Sequence, residues 1–461
     1  MRPTGSILVG VLWCMVLLSV LVIGVLHTAR MDLLVVKNYG DRVQAHYLAL
    51  AGVERAKAIL YQDVVTRQQT ARNHTGLLYN DPKDFQDVSL GRGKFQVFRR
   101  APQEEGGGMV YGISDEESRL NINSASAAQL TNLTGMTSDI VGAIIVWRSA
   151  ATQGTAAAGG ANSDYYMSLH PPCLARNGPF QTVRELLMVR GVTPELLLGN
   201  DRNQNGFLDD DDDPAEQGLP GFKPPPPLPG WAALLTVTDT DKNVNATGKD
   251  RINPQTADEA TLSAVPGVTR AIARAIISYR GQNQLQSLDD LLSVTAQNAN
   301  PGGANANAGA GRNLPARGNQ AGGQGGSGNS GQPVITQELL EQIADDLTLS
   351  GQSDLPGLIN INTARRGVLM CLPGVDQPLA QAIINYRKST GYFDNVAGLL
   401  KVDGMTRAIF KQVVPLVTVR SETFRIICEG KINSTGARQR IEAIVHIGRS
   451  DLETLAYRED L

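Results

Sequence analysis

Between Ile7 and Leu26 the chain runs for twenty residues without a charge. At 1.5 Å per residue such a helix covers about 30 Å, the depth of a bilayer's hydrocarbon core. A cleaved secretory signal is the simpler alternative. Its apolar stretch is normally about 7–15 residues and ends at a small-residue cleavage site, and no clear site follows here. From Arg30 to Tyr61 there is no Pro, and Leu48, Gly52, Val53, Ala56, Ile59 and Leu60 form one apolar stripe. The pattern predicts a single long rod, membrane-embedded at its start and packed against protein farther on. Arg2 and the terminal amine precede the apolar run, which puts the start of the chain on the cytoplasmic side.

A second pattern occurs three times, beginning at Asn121, Asn253 and Asn360. Leu follows at nine residues (Leu130, Leu262, Leu369) and Gly at fourteen (Gly135, Gly267, Gly374). An Ile pair comes at twenty-three and twenty-four (Ile144/Ile145, Ile276/Ile277, Ile383/Ile384), then Trp147-Arg148, Tyr279-Arg280 or Tyr386-Arg387. Fixed spacing of this kind marks a repeated structural unit. Each copy reads as helix, tight turn, helix. Ser124, Thr256 and Thr363 are the expected caps of the first helix. Turns such as Val265-Pro266-Gly267-Val268 and Leu372-Pro373-Gly374-Val375 stop it and reverse the chain. The second helix shows apolar residues at helical spacing, as in Ile272, Ile276 and Tyr279. Paired leucines follow each copy at Leu186/Leu187, Leu291/Leu292 and Leu399/Leu400. Strand patterns flank the repeats at Phe95–Phe98 and Met109–Tyr111 on one side, and at Phe424–Cys428 and Arg440–Ile447 on the other, with a hairpin turn near Ser434–Gly436.

The repeats resemble the helix-hairpin-helix module, in which the hairpin glycine lets backbone N–H groups approach a nucleic-acid phosphate without reading sequence. Phosphate binding needs many Lys and Arg. The chain carries a net charge of −3. The first turn continues as Thr137-Ser138-Asp139, the third as Asp376-Gln377-Pro378, and the second offers only Arg270 and Arg274. A helical scaffold therefore outweighs DNA binding, and nucleic acid is not an expected partner.

The N-terminus resembles the pilin class. A short basic leader ends at Gly5 and the apolar helix begins at Ser6. The resemblance implies cleavage after Gly5 by a prepilin peptidase and permits methylation of the new amine. Most pilins carry Glu as the fifth mature residue, where it meets a neighbouring subunit's amine; here that position is Gly10. A buried charge needs a partner, so its absence fits a subunit with nothing stacked above it.

One pilin subclass combines these features. Tyr47–Ala56, the Asn-Ile-Asn openings, Pro179-Phe180 with Glu185-Leu186-Leu187, and the C-terminal strands resemble, in that order, the K-type minor pseudopilins of type II secretion systems. The resemblance implies an α+β fold: a long pilin helix on a small antiparallel sheet, with a large inserted all-α domain of three helix-hairpin-helix (SAM-like) repeats. The expected organisation is a leader over 1–5, the helix over 6–61, pilin-body strands over 62–111, the inserted domain over 112–419 and C-terminal strands over 420–461. Repeats fall near 120–200, 251–349 and 358–418. A Gly/Asn/Ala-rich loop over 298–332 is expected to be disordered, Ala150–Asn162 to be a flexible loop, and Pro224–Pro229 to be an extended spacer. Three repeats, where two are expected, and a split second copy depart from the subclass.

The function implied is capping of a periplasmic pseudopilus tip and priming of its assembly, with I- and J-type minor pseudopilins and the major pseudopilin as partners. The location implied is the bacterial inner membrane, single-pass, with the bulk in the periplasm. A membrane-anchored helix-hairpin-helix DNA receptor of a DNA-uptake system is the competing reading. It leaves the pilin-type helix and the C-terminal strands unexplained.

Asp201, Asn203, Asn205, Asp209 and Asp212, with Gly206 at the sixth position, match the oxygen spacing of an EF-hand loop; Phe207 would add a backbone carbonyl. A solvated acidic run is the alternative. Calcium is the expected cofactor, and K-type pseudopilins carry it in their helical domain. Asp239, Asp241, Asn243 and Asn245 form a weaker second candidate that lacks the turn Gly. Cys14 lies in the apolar helix, while Cys173, Cys371 and Cys428 leave room for at most one disulfide, which spacing does not select. Cys371 reads as a buried thiol. No zinc cluster, nucleophile elbow or phosphate loop appears, so no catalysis is expected.

Overall fold

The computed structural model describes residues 5–73, 77–149, 163–199, 230–295, 332–448 and 451–459. One helix, α1 (Gly5–Thr70), is unbroken over 66 residues and runs past the expected end at Tyr61. Its added turns are held by the buried ion pair Asp63–Arg67 (3.2 Å).

The two halves of α1 meet different surroundings. Up to Val36 its large apolar side chains project outward, with Leu8 70% and Val36 69% exposed. From Ala45 onward one face is buried: Ala45, Leu48, Ala49, Val53, Ala56 and Leu60. That face lies on a seven-stranded antiparallel sheet. Its strands are β1 (Val88–Leu90), β2 (Gly93–Arg100), β3 (Met109–Val110), β4 (Ser114–Asp115), β5 (Thr423–Ile432), β6 (Arg438–Ile447) and β7 (Leu452–Glu459). The order is β1-β2-β5-β6-β7, with β3 on β2 and β4 on β5. Strands more than three hundred residues apart are thus neighbours: Gly430 of β5 pairs with Phe95 of β2.

Glycine sets the depth of the contact. A methyl group on Gly430 would overlap the Ala45 carbonyl, and one on Gly52 would overlap the Cys428 sulfur. The bare backbone brings helix and strand close enough for Phe95, Ile426 and Ile441 to fill the remaining space. The alternating patterns over β2, β5 and β6 predict these strands, whereas β7, exposed along most of its length, has no buried face and so shows no apolar alternation.

Between β4 and β5 the chain builds three helical units, each closed by a short parallel ladder. Leu120–Asn121 pairs with Leu235–Thr236, Ile252 bridges Leu347, and Ile359–Asn360 pairs with Val417–Thr418. The units share one hydrophobic core, distinct from the core under α1. The N-cap positions of the first helices are Ser126, Asp258 and Arg365, of which the first two cap through their side chains, two residues beyond the expected Ser124, Thr256 and Thr363. Those three residues lie instead in the turn that the leading Asn closes, where their amides donate to the Asn121, Asn253 and Asn360 carbonyls. All four Cys are free thiols. The segments 150–162 and 224–229, and 298–332 except Gln332, lie outside the described residues.

Candidate functional site: anchor helix, hairpin turns and an acidic seam

The processing candidates Gly5 and Ser6 are the first residues of α1. A Cβ at Gly10 would meet nothing within 4 Å, so this position lies on open helix surface. The helix is long and apolar enough to cross a membrane, with a mean hydropathy of 2.8 in its most apolar window.

The three hairpin glycines all adopt positive φ, +81° at Gly135, +93° at Gly267 and +73° at Gly374, which L side chains avoid. Each is also covered. A Cβ would stand 3.2 Å from Leu196 at the first turn, 3.1 Å from Leu339 at the second and 3.2 Å from Ile409 at the third. The covering helices are Pro194–Leu198, Gln337–Ile343 and Arg407–Val413. In the outer two units the packing is reciprocal. A second glycine turn, at Gly191 (φ +85°) or Gly404 (φ +85°), faces Ile140 or Leu379 of the first hairpin's own second helix. Each outer unit is therefore two hairpins locked face to face. Sequence reasoning missed Gly191 and Gly404. The signal was present in Val189-Arg-Gly191-Val-Thr193 and Val402-Asp-Gly404-Met-Thr406, which follow the paired leucines at equal distance.

The polar landmarks of the repeat are internal staples. Arg148 donates to the carbonyls of Ile122 and Ala125, Arg280 to Pro254 and Ala257 (2.7 Å each), and Arg387 to Ile361 (3.0 Å) and Ala364 (2.9 Å). Asn123 and Asn362 tie the openings to Phe180 and Phe393. These cations are spent on the fold. The N–H groups after each hairpin are also occupied: Thr137, Thr269 and Asp376 cap the second helices. At the third turn a carboxylate, Asp376 Oδ1, accepts from Leu379 N at 2.9 Å and repels a phosphate from that end. Of the two cations near the second turn, Arg274 pairs with Glu259 at 3.0 Å.

Residues 115–117 stitch the units to the sheet, and sequence reasoning passed over them. Asp115, Glu116 and Glu117 are three consecutive acids, all buried. Asp115 accepts from Asn360 (2.9 Å) and Thr363 of the third unit. Glu116 pairs with Arg425 of β5 (2.7 Å) and accepts from Thr236 of the first unit (2.8 Å). Glu117 Oε1 accepts from the amides of Glu422 (3.0 Å) and Thr423 (2.9 Å). Burial alone would raise the Glu116 carboxyl; Arg119 and Arg425, with hydrogen bonds from Arg425 and Thr236, bring it down to about 2. Glu117 goes the other way, pushed up by burial and then by Asp241 and Asp115.

The calcium candidate Asp201, Asn203, Asn205, Phe207, Asp209 and Asp212 lies outside the described residues. The second candidate lies among the described residues. Asp239 Oδ2, both Asp241 oxygens and Asn243 Oδ1 are buried without a hydrogen-bond partner, as a cation site would require. Asn245 is committed elsewhere: its side chain accepts from Thr247 and Lys249 and donates to Asp346. Among the described residues no group of three or more His, Cys, Asp or Glu is arranged to hold a metal. Burial pushes Asp239 up to about 7 and Asp241 up to about 6.

Residues 112–199 match a family model described as type II secretion system (T2SS), protein K. Residues 248–297 and 357–418 match the helix-hairpin-helix motif. Among curated proteins, the mouse endonuclease/exonuclease/phosphatase family domain-containing protein 1 is 30% identical over 176 residues, 36% of this chain and 27% of that protein. The ComE operon protein 1 of Bacillus subtilis (strain 168) is 36% identical over 63 residues, 14% of this chain and 31% of that protein. The chain thus spans about a third or less of each of these relatives. Among solved structures, the GspK-GspI-GspJ complex from the enterotoxigenic Escherichia coli type 2 secretion system aligns with TM-score 0.42 and 11% identity, covering 91% of this chain and 98% of that chain.

Proposed function

We infer, for a chain whose residues 112–199 match the type II secretion protein K family model, that its work is architectural. It is a minor pseudopilin that caps the periplasmic tip of a pseudopilus and helps prime assembly for protein export. The observation that carries this reading is the division of α1. One half is an apolar rod left exposed by the described residues, and the other is locked onto a sheet that carries a bulky helical cap. Such a rod needs either lipid or sibling rods around it. I- and J-type minor pseudopilins supply siblings, and the major pseudopilin the shaft below. The reading includes a cytoplasmic N-terminus, cleavage after Gly5 by the prepilin peptidase, and a non-catalytic body.

Replacing Gly5 with Leu tests the processing. The expected product is a membrane precursor that keeps its first five residues, seen by intact-mass measurement. A Gly5→Leu protein processed to Ser6 would remove the pilin reading. Calcium at 201–212 is part of the proposal and rests on oxygen spacing alone. The purified protein is expected to retain calcium after dialysis, and Asp201→Asn with Asp209→Asn to release it.

The helix-hairpin-helix match and the similarity to the ComE operon protein favour a DNA-uptake receptor as the second reading. A gel shift with duplex DNA across a salt series separates the two. Tight, salt-sensitive retardation belongs to a receptor, and none is expected here, because the repeat arginines and the helix ends at the turns are already engaged.

A further inference from the structure

A cavity of about 60 Å³ opens where the pilin body meets the third helical unit. Arg99, Arg100, Glu105 and Asp115 line it from one side, Thr363 and Arg365 from the other, so two carboxylates share the wall with three guanidinium groups. Its volume is that of about two water molecules, enough for a carboxylate or a tetrahedral oxyanion and too little for a nucleotide.

Three guanidinium groups reach this cavity, and only one is accounted for. Arg99 donates from Nε to the Tyr79 carbonyl (2.8 Å) and pairs through Nη2 with Glu105 (2.8 Å). The Arg100 and Arg365 side chains make no hydrogen bond or ion pair among the described residues, and the Arg100 charge works against that of Arg365. The acids in and beside the wall already have partners. Glu104 lies 3.8 Å from Arg366, Glu105 belongs to Arg99, and Asp115 accepts from Glu117 N, Asn360 and Thr363. Burial, followed by the charge of Arg119, draws Arg365 down to about 10, so it is still charged at neutral pH. Glu104 and Glu105 offset part of the cost of the Arg365 charge, yet a half-buried guanidinium with no hydrogen-bonded partner is still costly to hold. Two of them beside a polar cavity match an oxygen pair, which guanidinium groups bind in a planar, two-pronged fashion.

We propose that this cavity binds a small oxyanion between Arg100 and Arg365, and that the bound anion clamps the third unit to the pilin body. The anion is either a free ion or the carboxylate of an acidic side chain offered by a neighbouring protein. The proposal stands apart from the secretion reading, since it rests only on the charge and shape of the cavity.

Isothermal titration of the full-length protein in detergent, at constant ionic strength, tests it with inorganic phosphate and with N-acetyl-glutamate as probes. Saturable binding is expected for at least one probe, weakened tenfold or more in R365Q and in R100Q and unchanged in R92Q, which lies outside the cavity. Tighter phosphate binding identifies a free ion; tighter N-acetyl-glutamate binding identifies an acidic side chain. Should R365Q fail to fold, R100Q decides alone. No saturable binding of either probe, or equal binding in the wild type and the folded variants, overturns the proposal.

Discussion

The core under α1 and the core of the helical units are built by opposite means. Under α1, long elements meet through Gly and Ala: Gly52, Gly430, Ala45 and Ala49 let backbones approach, and few polar side chains intrude. In the units the helices are short, most of five to thirteen residues, too short to hold themselves. Their ends are fixed by buried polar staples, an Arg on two carbonyls and an Asn on a strand and a Phe. The first kind of core tolerates no added atoms, and the second no lost hydrogen bonds. The two meet at the acids of residues 115–117, which bond to the helical units and to the sheet.

The join is where the comparison breaks most easily. Removing Glu116 leaves Arg425 and Arg119 beside it without their main counter-charge, and Glu116→Ala is expected to cost about 3–5 kcal/mol, read as a shift in the urea midpoint. The sheet core comes next. Gly430→Leu drives a side chain into the Ala45 carbonyl and is expected to cost about 3 kcal/mol, whereas Gly10→Leu, on open helix surface, is expected to leave the midpoint unchanged. In the unit core, Arg387→Met strips two buried carbonyls of their donor, an expected loss of about 2 kcal/mol. Arg280→Met, on a more exposed staple, should lose less.

The smallest effect is a pH slope. Asp239, raised to about 7 from 3.8, keeps a proton in the folded protein that the unfolded chain has already released. Its contribution is full below about pH 4 and fades as pH rises through about 7. Glu116, held down to about 2, does the reverse, contributing above its unfolded value of 4.5 and losing that as pH falls towards 2. Unfolding at pH 6 and pH 7 should therefore show lower stability at pH 7. Asp239→Asn should reduce the difference by about 1 kcal/mol.

The periodic parts of this fold were open to reading. The charge-free run, the three hairpin glycines and the strands around Phe95, Ile426 and Ile441 each carry a local pattern that a single physical rule explains. The hidden parts depend on distant partners. Asp115, Glu116 and Glu117 look like a solvated acidic turn until Asn360, Arg425 and the Thr423 amide, all distant in sequence, are folded over them. The first-helix caps were misplaced by two residues because the Asn at each opening makes its own turn first, at Asn121, Asn253 and Asn360. Strand β7 went unseen because it buries neither face. The second glycine turns were concealed by unequal spacing, since the first unit carries an insertion between Arg148 and Phe180 that the third lacks.

The central claim is that the exposed apolar half of α1 ends up beside sibling rods. Cys14 sits on that half with its thiol exposed, and it offers a native probe. In cells making the whole secretion machine, mild oxidation should join Cys14 to a cysteine placed at the matching depth of an I- or J-type pseudopilin helix. A Cys14→Ser protein should give no such product. Cross-linking to those helices at the level of random membrane neighbours would contradict the account.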